Sequence, residues 1–207
     1  MARNARLGPT WSMDQDETPS LDPLARNAFT LPSERLFAAR TVLVFGEVTT
    51  QLAERVSLQL LALAAQSRAP ILVFINSPGG HVESGDTIHD ILRFIDVEVR
   101  VVGSGWVASA GALIFSAVER TRRFALPNTR FLLHEPSGRM QGQAVDVEIE
   151  ARQVLAMRAR LNAIFARATG QSPEKIARDT ERNHWLSAEE ALAYGLVGRI
   201  IERASDL

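Results

Sequence analysis

Short apolar runs alternate with longer amphipathic segments between residues 41 and 134, and this alternation constrains the fold more than any other feature of the chain. TVLVF (41–45) and ILVFIN (71–76) are rich in β-branched residues and have the length of buried strands. The segment 50–66 between them carries leucine and valine at helical spacing. Strands that are joined by helices in this way indicate parallel pairing with right-handed crossovers. We therefore predict an α/β fold built from βαβ units.

The later part of the chain continues this pattern. We predict the following elements in order: a helix over 82–95, a strand at 97–102 that ends in a Gly-rich turn, a strand at 130–134, a long helix from about Ala144 to Ala168, and helices within 172–182 and 187–195. Ser187 and Glu190 have the spacing of a capping box, and Gly195 is a typical helix stop. The cluster RTRR (120–123) precedes a Pro-Asn turn, so we interpret it as a solvated loop.

The first 35 residues differ from the rest of the chain, because they carry four prolines and an acidic patch but few apolar residues. The whole chain has 207 residues, of which 46% are hydrophobic, which suffices for one sizeable core. We predict an N-terminal arm over 1–35 that lies outside the core, flexible in character, and a single domain over 36–207.

Charge and composition exclude several classes of function. The 23 basic and 24 acidic residues are scattered and leave a net charge of -1, so we expect no nucleic-acid or anionic-membrane partner. There is no cysteine, and the four histidines lack metal-ligand spacing, so we predict neither disulfides nor a metal site. Without a membrane-length apolar run or a secretory signal, the sequence predicts a cytoplasmic protein. It also lacks a GxxxxGK[ST] phosphate loop, so we expect no ATP or other cofactor on this chain.

Three chemically suggestive features follow predicted parallel strands at their carboxyl ends, where the reactive groups of such sheets collect. They are the turn SPGG (77–80), Ser109 within GWVASAGAL, and His134. The glycine pair exposes backbone N–H groups that could hold an oxyanion, while Ser109 could act as nucleophile and His134 as its base. Each feature also has a structural interpretation as a tight turn, a close-packed helix start or a hydrogen-bonded strand end. Their conjunction favours the catalytic one.

Five ordered motifs between about Thr41 and Ile201 closely resemble the proteolytic subunit family of ATP-dependent Clp proteases. The motifs are INSPGG, ASAGA, RFLLHEPSG, QGQAVDVEIEAR and IARDTERNHWLSAEEALAYGLV. The resemblance implies a crotonase-like superhelix of βαβ units, with a protruding handle formed by the long helix and a strand in GRMQGQAVD (138–146). It also implies a serine endopeptidase that hydrolyses unfolded polypeptide through an acyl-enzyme. The resemblance further implies an assembly of two stacked heptameric rings. A partner AAA+ unfoldase would feed substrate into it and consume the ATP.

Carried over by position, the resemblance implies Ser109 as nucleophile, His134 as general base, and Gly80 with Ala110 as backbone oxyanion donors. The family's third member, usually an aspartate, aligns with Asn183. An amide oxygen can orient the imidazole, but it cannot offset the charge of the imidazolium, so we expect an active but slow site.

Other positions near the third member also bear on function. Asp179 is the nearest acid along the chain and would be the alternative third member. The resemblance implies that Arg182 occupies a position that helps pair one ring with the other. Its charged partner there would be the family's usual aspartate, which this chain replaces with Asn183. The segment LARNAFTLPSERLFAAR (24–40) departs from the family pattern, which leaves the role of the arm at the axial pore open.

Two further functions stay open at this point. A weakly active or structural paralogue that assembles with an active subunit, in mixed rings, would explain Asn183. A crotonase-type acyl-CoA hydratase or isomerase would share the oxyanion chemistry but would need a carboxylate base, for which Glu83 and Glu135 are the nearby acids.

Overall fold

The computed structural model describes residues 23–136 and 142–207. Contacts divide the chain into two compact units, Met1–Arg35 and Leu36–Leu207, and the second contains the sheet and its core. Residues 1–22 of the predicted arm lie outside the described residues, so its flexible character stays a prediction. A helix begins at Pro23, which the sequence pattern did not predict.

The residues that the structure describes form seven α-helices and seven β-strands. The helices are α1 (Pro23–Ala38), α2 (Thr50–Gln66), α3 (Val82–Phe94), α4 (Ala110–Phe115), α5 (Ala144–Thr169), α6 (Pro173–Thr180) and α7 (Ala188–Tyr194). The strands are β1 (Thr41–Phe45), β2 (Ile71–Ser77), β3 (Val99–Ala108), β4 (Arg123–Ala125), β5 (Arg130–Leu133), β6 (His184–Leu186) and β7 (Arg199–Ile200). The predicted bounds of β1 and α2 are confirmed, as are the capping box of α7 and its stop at Gly195.

The sheet has the order β1-β2-β3-β4-β7, and all of these neighbours are parallel. Strand β5 pairs in parallel with β3, beyond the end of β4. Strand β6, which the sequence pattern did not predict, pairs with β5 in the antiparallel sense. Its three residues begin at His184, after α6 has ended at Thr180, and run back along β5. So short a strand leaves no periodic signal in the sequence.

Strand β3 does not end in a Gly-rich turn, contrary to the prediction, but continues to Ala108. Its first half pairs with β4, and its second half pairs with β5. Gly103 lies between the two halves, where a Cβ atom would come within 3.2 Å of the Phe131 and Thr129 side chains. The glycine therefore permits close packing inside a strand, and the strand carries the chain onward to Ser109.

The core fills the space between the sheet and helices α2, α3 and α4, and it consists mainly of valine, isoleucine and leucine. Helix α5 contributes only its C-terminal half, where Leu161, Ile164 and Phe165 are buried. Farther toward its N-terminus the helix exposes large apolar side chains. They are Val145, Ile149 and Leu155. Of the predicted handle, residues 137–141 lie outside the described residues, and the predicted strand within 138–146 falls partly on them.

The basic cluster 120–123 is not simply a solvated loop, so that interpretation is wrong for its last residue. Arg123 begins β4 and is only 1% exposed, whereas Arg120 and Thr121 are exposed. Pairing of β4 with β3 draws this arginine into the interior, a tertiary effect that the polar local sequence does not show.

No helix within the described ranges 23–136 and 142–207 is both long enough and apolar enough to cross a membrane.

Two C-terminal helix caps offer a matched test of the packing. Gly170 ends α5 and Gly195 ends α7, both with left-handed φ values, 76° and 93°. A Cβ atom on Gly170 would meet nothing within 4 Å, but on Gly195 it would lie 2.2 Å from the carbonyl oxygen of Thr169. We expect Gly170→Ala to cost about 1 kcal/mol through backbone strain alone. Gly195→Ala should lower the free energy of unfolding by about 3 kcal/mol or more, because the backbone around Thr169 must also shift.

Thermal unfolding at matched protein concentration measures this difference. Equal losses of Tm in the two variants would contradict the packing described around Gly195.

Candidate active site

Ser109 occupies the sharp connection between β3 and α4. Its φ of 53° and ψ of -119° are unusual for a residue with a side chain, and strain of this kind costs about 1 to 3 kcal/mol. The backbone N–H of Ser109 donates to the Leu132 carbonyl at 2.9 Å, which helps to hold the turn. Although Ser109 is the N-cap of α4, its hydroxyl makes no capping bond. The hydroxyl is therefore available for a partner outside the helix.

His134 provides that partner and links Ser109 to Asn183. Its Nε2 lies 2.8 Å from Ser109 Oγ, and its Nδ1 lies 3.1 Å from Asn183 Oδ1. Because an amide oxygen only accepts, this arrangement places a hydrogen on Nδ1 and leaves Nε2 to accept from the serine hydroxyl. This tautomer is the one that lets a histidine take a proton from a nucleophile.

The antiparallel pairing of β5 with β6 brings His134 and Asn183 together. Leu133 at the end of β5 is opposite His184 at the start of β6. His134 follows Leu133 in the chain, and Asn183 precedes His184. Because the two strands run in opposite directions, these two residues also lie opposite each other. Two residues 49 positions apart thus face each other because of strand register.

The predicted oxyanion donors lie around the same turn. Ala110 is the first residue of α4, where backbone N–H groups have no intrahelical acceptor. Gly80 follows β2 with a φ of 143°, and a Cβ atom there would lie 2.5 Å from the Val48 carbonyl oxygen. A Cβ atom on Gly79, the other member of the predicted glycine pair, would lie 2.6 Å from the Cβ of Ser109. The glycine pair thus allows the loop after β2 to approach the serine closely.

A narrow cleft adjoins Ser109 and His134. It is lined by Val82, Ser109, Ala110, Leu113, His134, Pro136, Leu161 and Phe165. The C-terminal half of α5 supplies the last two of these residues, so the long helix borders the site. Outside the predicted set, Glu135 is paired with Arg158 of α5 at 2.6 Å and ties the residue after His134 to that helix.

Asp179 is not brought to His134. Its Oδ2 accepts from Lys175 Nζ at 2.5 Å and from the Tyr194 hydroxyl at 2.7 Å. Burial alone would raise the pKa of Asp179, but the hydrogen bonds from Lys175 and Tyr194 outweigh it and hold the pKa below its ordinary value. Burial and the bond to Asp179 in turn raise the pKa of Tyr194. Asp179 therefore joins α6 to α7, and Asn183 occupies the place beside the histidine.

The remaining predicted residue, Arg182, is exposed and lines an open groove together with His134 and Asn183. Within residues 23–136 and 142–207, no group of three or more histidine, cysteine or acidic side chains is placed to hold a metal ion.

A serine that lies on a strained strand-to-helix turn, with a histidine and a third polar side chain in line, defines the class of serine hydrolases. A model of the Clp protease family matches residues 26–204. ATP-dependent Clp protease proteolytic subunit 2 of Gluconobacter oxydans is 52% identical over 210 residues, covering 98% of this chain and 94% of the relative. The subunit of the same name from Pseudomonas aeruginosa is 56% identical over 168 residues, with coverages of 81% and 84%.

Solved structures agree with these relatives. ClpP1 from Listeria monocytogenes is 51% identical, covers 85% of this chain and 99% of its own, and superposes with a TM-score of 0.77. An asparagine-to-aspartate mutant of that protein is 52% identical, with coverages of 84% and 98% and a TM-score of 0.79. The chain therefore belongs to the Clp protease family, whose proteolytic subunits are peptidases. The predicted α/β fold of this family is confirmed.

The ionised Asp179 generates a testable pH dependence. Its pKa is lowered in the folded state, so the stability it contributes is present above the unfolded value of about 4 and is lost as the pH falls through the folded value. We expect Asp179→Asn to destabilise the protein by about 1 to 3 kcal/mol at pH 7, because two hydrogen bonds to a charged group weaken.

The difference in Tm between wild type and variant should shrink below about pH 4. Glu174→Gln, at an exposed position of the same helix, is the matched control and should leave Tm nearly unchanged. A difference that stays constant down to pH 3 would contradict the charged role of Asp179.

Proposed function

We propose that this chain is a serine endopeptidase subunit that hydrolyses unfolded polypeptides to short peptides with a Ser-His-Asn site. The hydrogen-bonded chain from Ser109 through His134 to Asn183 is the observation that carries the proposal. The membership of the family and the naming of its relatives support peptide bonds as the substrate class.

The geometry supports a two-step reaction. Ser109 Oγ attacks the scissile carbonyl carbon while His134 Nε2 takes the hydroxyl proton, and the carbonyl oxygen becomes an oxyanion. Backbone N–H groups of Gly80 and Ala110 hold this oxyanion, and one such donor is worth about 2.7 to 4 kcal/mol in acyl transfer. His134 then gives the proton to the leaving amine, so an acyl-enzyme and a free amine result. Water, activated by the same imidazole, releases the second product and restores Ser109.

Asn183 limits the rate in this proposal. Its Oδ1 holds the imidazole in the required tautomer, which keeps the site competent. A neutral amide does not stabilise the imidazolium that forms in both steps, whereas a carboxylate would. We therefore expect an active but slow subunit. If its activity is very low, the chain would be a weakly active paralogue that assembles with a faster subunit.

Assembly with other chains completes the proposal. The exposed apolar residues on the N-terminal half of α5 need a covering surface, which supports pairing of the handle with a facing ring. We propose two stacked heptameric rings, either of this chain or mixed with a paralogue, with Arg182 at the contact between rings. The relatives are named ATP-dependent, which supports a partner AAA+ unfoldase that uses the ATP while this chain binds no cofactor. A cytoplasmic location completes this proposal.

The hydratase or isomerase alternative lacks a suitable base. Glu135 is engaged by Arg158, and Glu83 is exposed and lies 3.1 Å from the side chain of His81. Such an enzyme would also give no role to the bond between Ser109 and His134.

Replacing the nucleophile tests the reaction directly. Ser109→Ala should lower kcat for an unfolded or peptide substrate by at least about 1,000-fold, because the acyl-enzyme cannot form. Assembly measured by sedimentation should stay intact, since the hydroxyl makes no capping bond to α4. Ser104→Ala, at a half-buried serine of β3, is the matched control and should keep its activity. Undiminished hydrolysis by Ser109→Ala would exclude Ser109 as nucleophile.

Restoring the acid tests the role of Asn183. Asn183→Asp should raise kcat by about 10-fold or more with KM little changed, because the carboxylate stabilises the imidazolium. The reverse change in a Ser-His-Asp enzyme costs about 10,000-fold, which is an upper bound here.

Activity must be compared at matched oligomeric state, because the new charge also lies beside Arg182. If Asn183→Asp is no faster, while Asp179→Asn is inactive although folded and assembled like wild type, Asp179 is the third member instead. If neither change alters kcat, the site works through Ser109 and His134 alone or depends on a neighbouring paralogue.

A further inference from the structure

A basic cavity lies apart from the serine site, where the end of α3, the segment before β4 and the end of α5 meet. Its volume is about 380 Å³, which falls in the range of small-ligand sites. The lining includes His89, Arg93, Ser116, Val118, Glu119, Arg120, Arg123, Ile164, Arg167 and Ala168. Four arginines thus face one carboxylate, in a chain whose overall net charge is -1.

Arg123 is the unusual member of this set. It is 1% exposed, and its Nη2 donates to the Ala168 carbonyl at 2.5 Å. Its Nε and Nη1 are also buried, but they have no hydrogen-bond partner within the described residues. A buried guanidinium without a counter-charge is costly, and burial accordingly lowers the pKa of Arg123 to about 10, with Arg120 adding to the effect. The side chain remains protonated at neutral pH.

The other arginines are exposed and surround this buried one. Arg120 donates to the carbonyls of Val197 and Leu192, and Arg93 donates to the Ala117 carbonyl. None of the four arginines forms an ion pair with a carboxylate in the described part of the chain.

The remaining titratable groups do not cancel this charge. Burial lowers the pKa of His89, so its imidazole is neutral at pH 7, and its Nδ1 lies 2.9 Å from Asp90 Oδ1. Asp90 itself does not line the cavity, and Glu119 is exposed at its edge. The cavity is therefore a concentration of positive charge around a buried, incompletely bonded guanidinium.

We propose that this cavity binds a phosphate group, with Arg123 at its base and Arg93, Arg120 and Arg167 around it. A phosphate offers several acceptor oxygens and up to two negative charges, so it can engage more than one guanidinium at once. A carboxylate has fewer acceptor oxygens and only one negative charge, so it would match this set of guanidinium groups less completely. The volume leaves room for an organic group attached to the phosphate, so inorganic phosphate and a phosphate monoester share the required chemistry.

Thermal unfolding and titration calorimetry with inorganic phosphate test this site. Sodium chloride keeps the ionic strength constant at every phosphate concentration and serves as the control without phosphate. Inorganic phosphate should raise the Tm of the full chain in a saturable way, because a ligand that binds only the folded state stabilises it. Arg167→Gln should weaken phosphate binding about 10-fold, as expected when one charge-assisted contact is lost. Arg122→Gln removes the same charge from the residue next to Arg123 but outside the lining, so it should bind like wild type.

Arg123→Gln should abolish the effect of phosphate. Should that variant fail to fold, Arg93→Gln combined with Arg167→Gln at exposed positions takes its place and should lose binding at least as strongly as the single change. A comparison of phosphate, ribose and ribose 5-phosphate separates the two sources, because a monoester site binds the sugar phosphate more tightly than the inorganic ion.

Three results would overturn the proposal. Equal responses of the Arg167→Gln and Arg122→Gln variants would show nonspecific binding to surface charge. If the Tm shows no saturable rise with phosphate up to about 10 mM, the cavity does not bind phosphate. A change of sedimentation in Arg167→Gln without any phosphate effect would assign the cavity to a carboxylate of another copy of the chain. Peptide hydrolysis reports separately on the proposed function, since none of these arginines touches Ser109, His134 or Asn183.

Discussion

The pairing of β3 with three different strands is the constraint on which the rest of the structure depends. The strand pairs with β2, and its other edge is shared by β4 along the first half and β5 along the second. Its end is then held by the bond from Ser109 N–H to the Leu132 carbonyl, which belongs to β5. Because both edges are fixed, the unfavourable φ of Ser109 can persist without a glycine. The serine hydroxyl consequently contacts His134, the residue directly after β5, instead of its own helix.

The same strand β5 assembles the other half of the site. Its antiparallel partner β6 is only three residues long, yet the register of that pair decides which side chain faces His134. The neighbouring acid Asp179 is held by Lys175 and Tyr194, so the amide of Asn183 is left as the histidine's partner. The amide oxygen of Asn183 accepts from the imidazole and so fixes the ring, but unlike a carboxylate it carries no negative charge.

Asp179 and Arg123 differ in how their charges are matched by the groups around them. Around Asp179 the charges are matched, and hydrogen bonds outweigh the cost of burial. Around Arg123 they are not matched, and two nitrogen atoms lack acceptors within the described residues. The end of α5 borders both the cavity with Arg123 and the cleft beside Ser109, through Arg167 and Ala168 on one side and Leu161 and Phe165 on the other. The long helix thus joins two chemically different regions of the domain.

The sequence by itself determined the strands and helices with strong periodicity, including β1, α2 and the capped helix α7, because their signals are local. It also indicated Ser109 and His134, since the carboxyl ends of parallel strands gather at one edge. Tertiary structure decided the rest: the continuation of β3 past Gly103, the reversed strand β6 and the burial of Arg123. Each of these depends on hydrogen bonding between segments far apart in the chain, and such pairing leaves no periodic pattern in the local sequence.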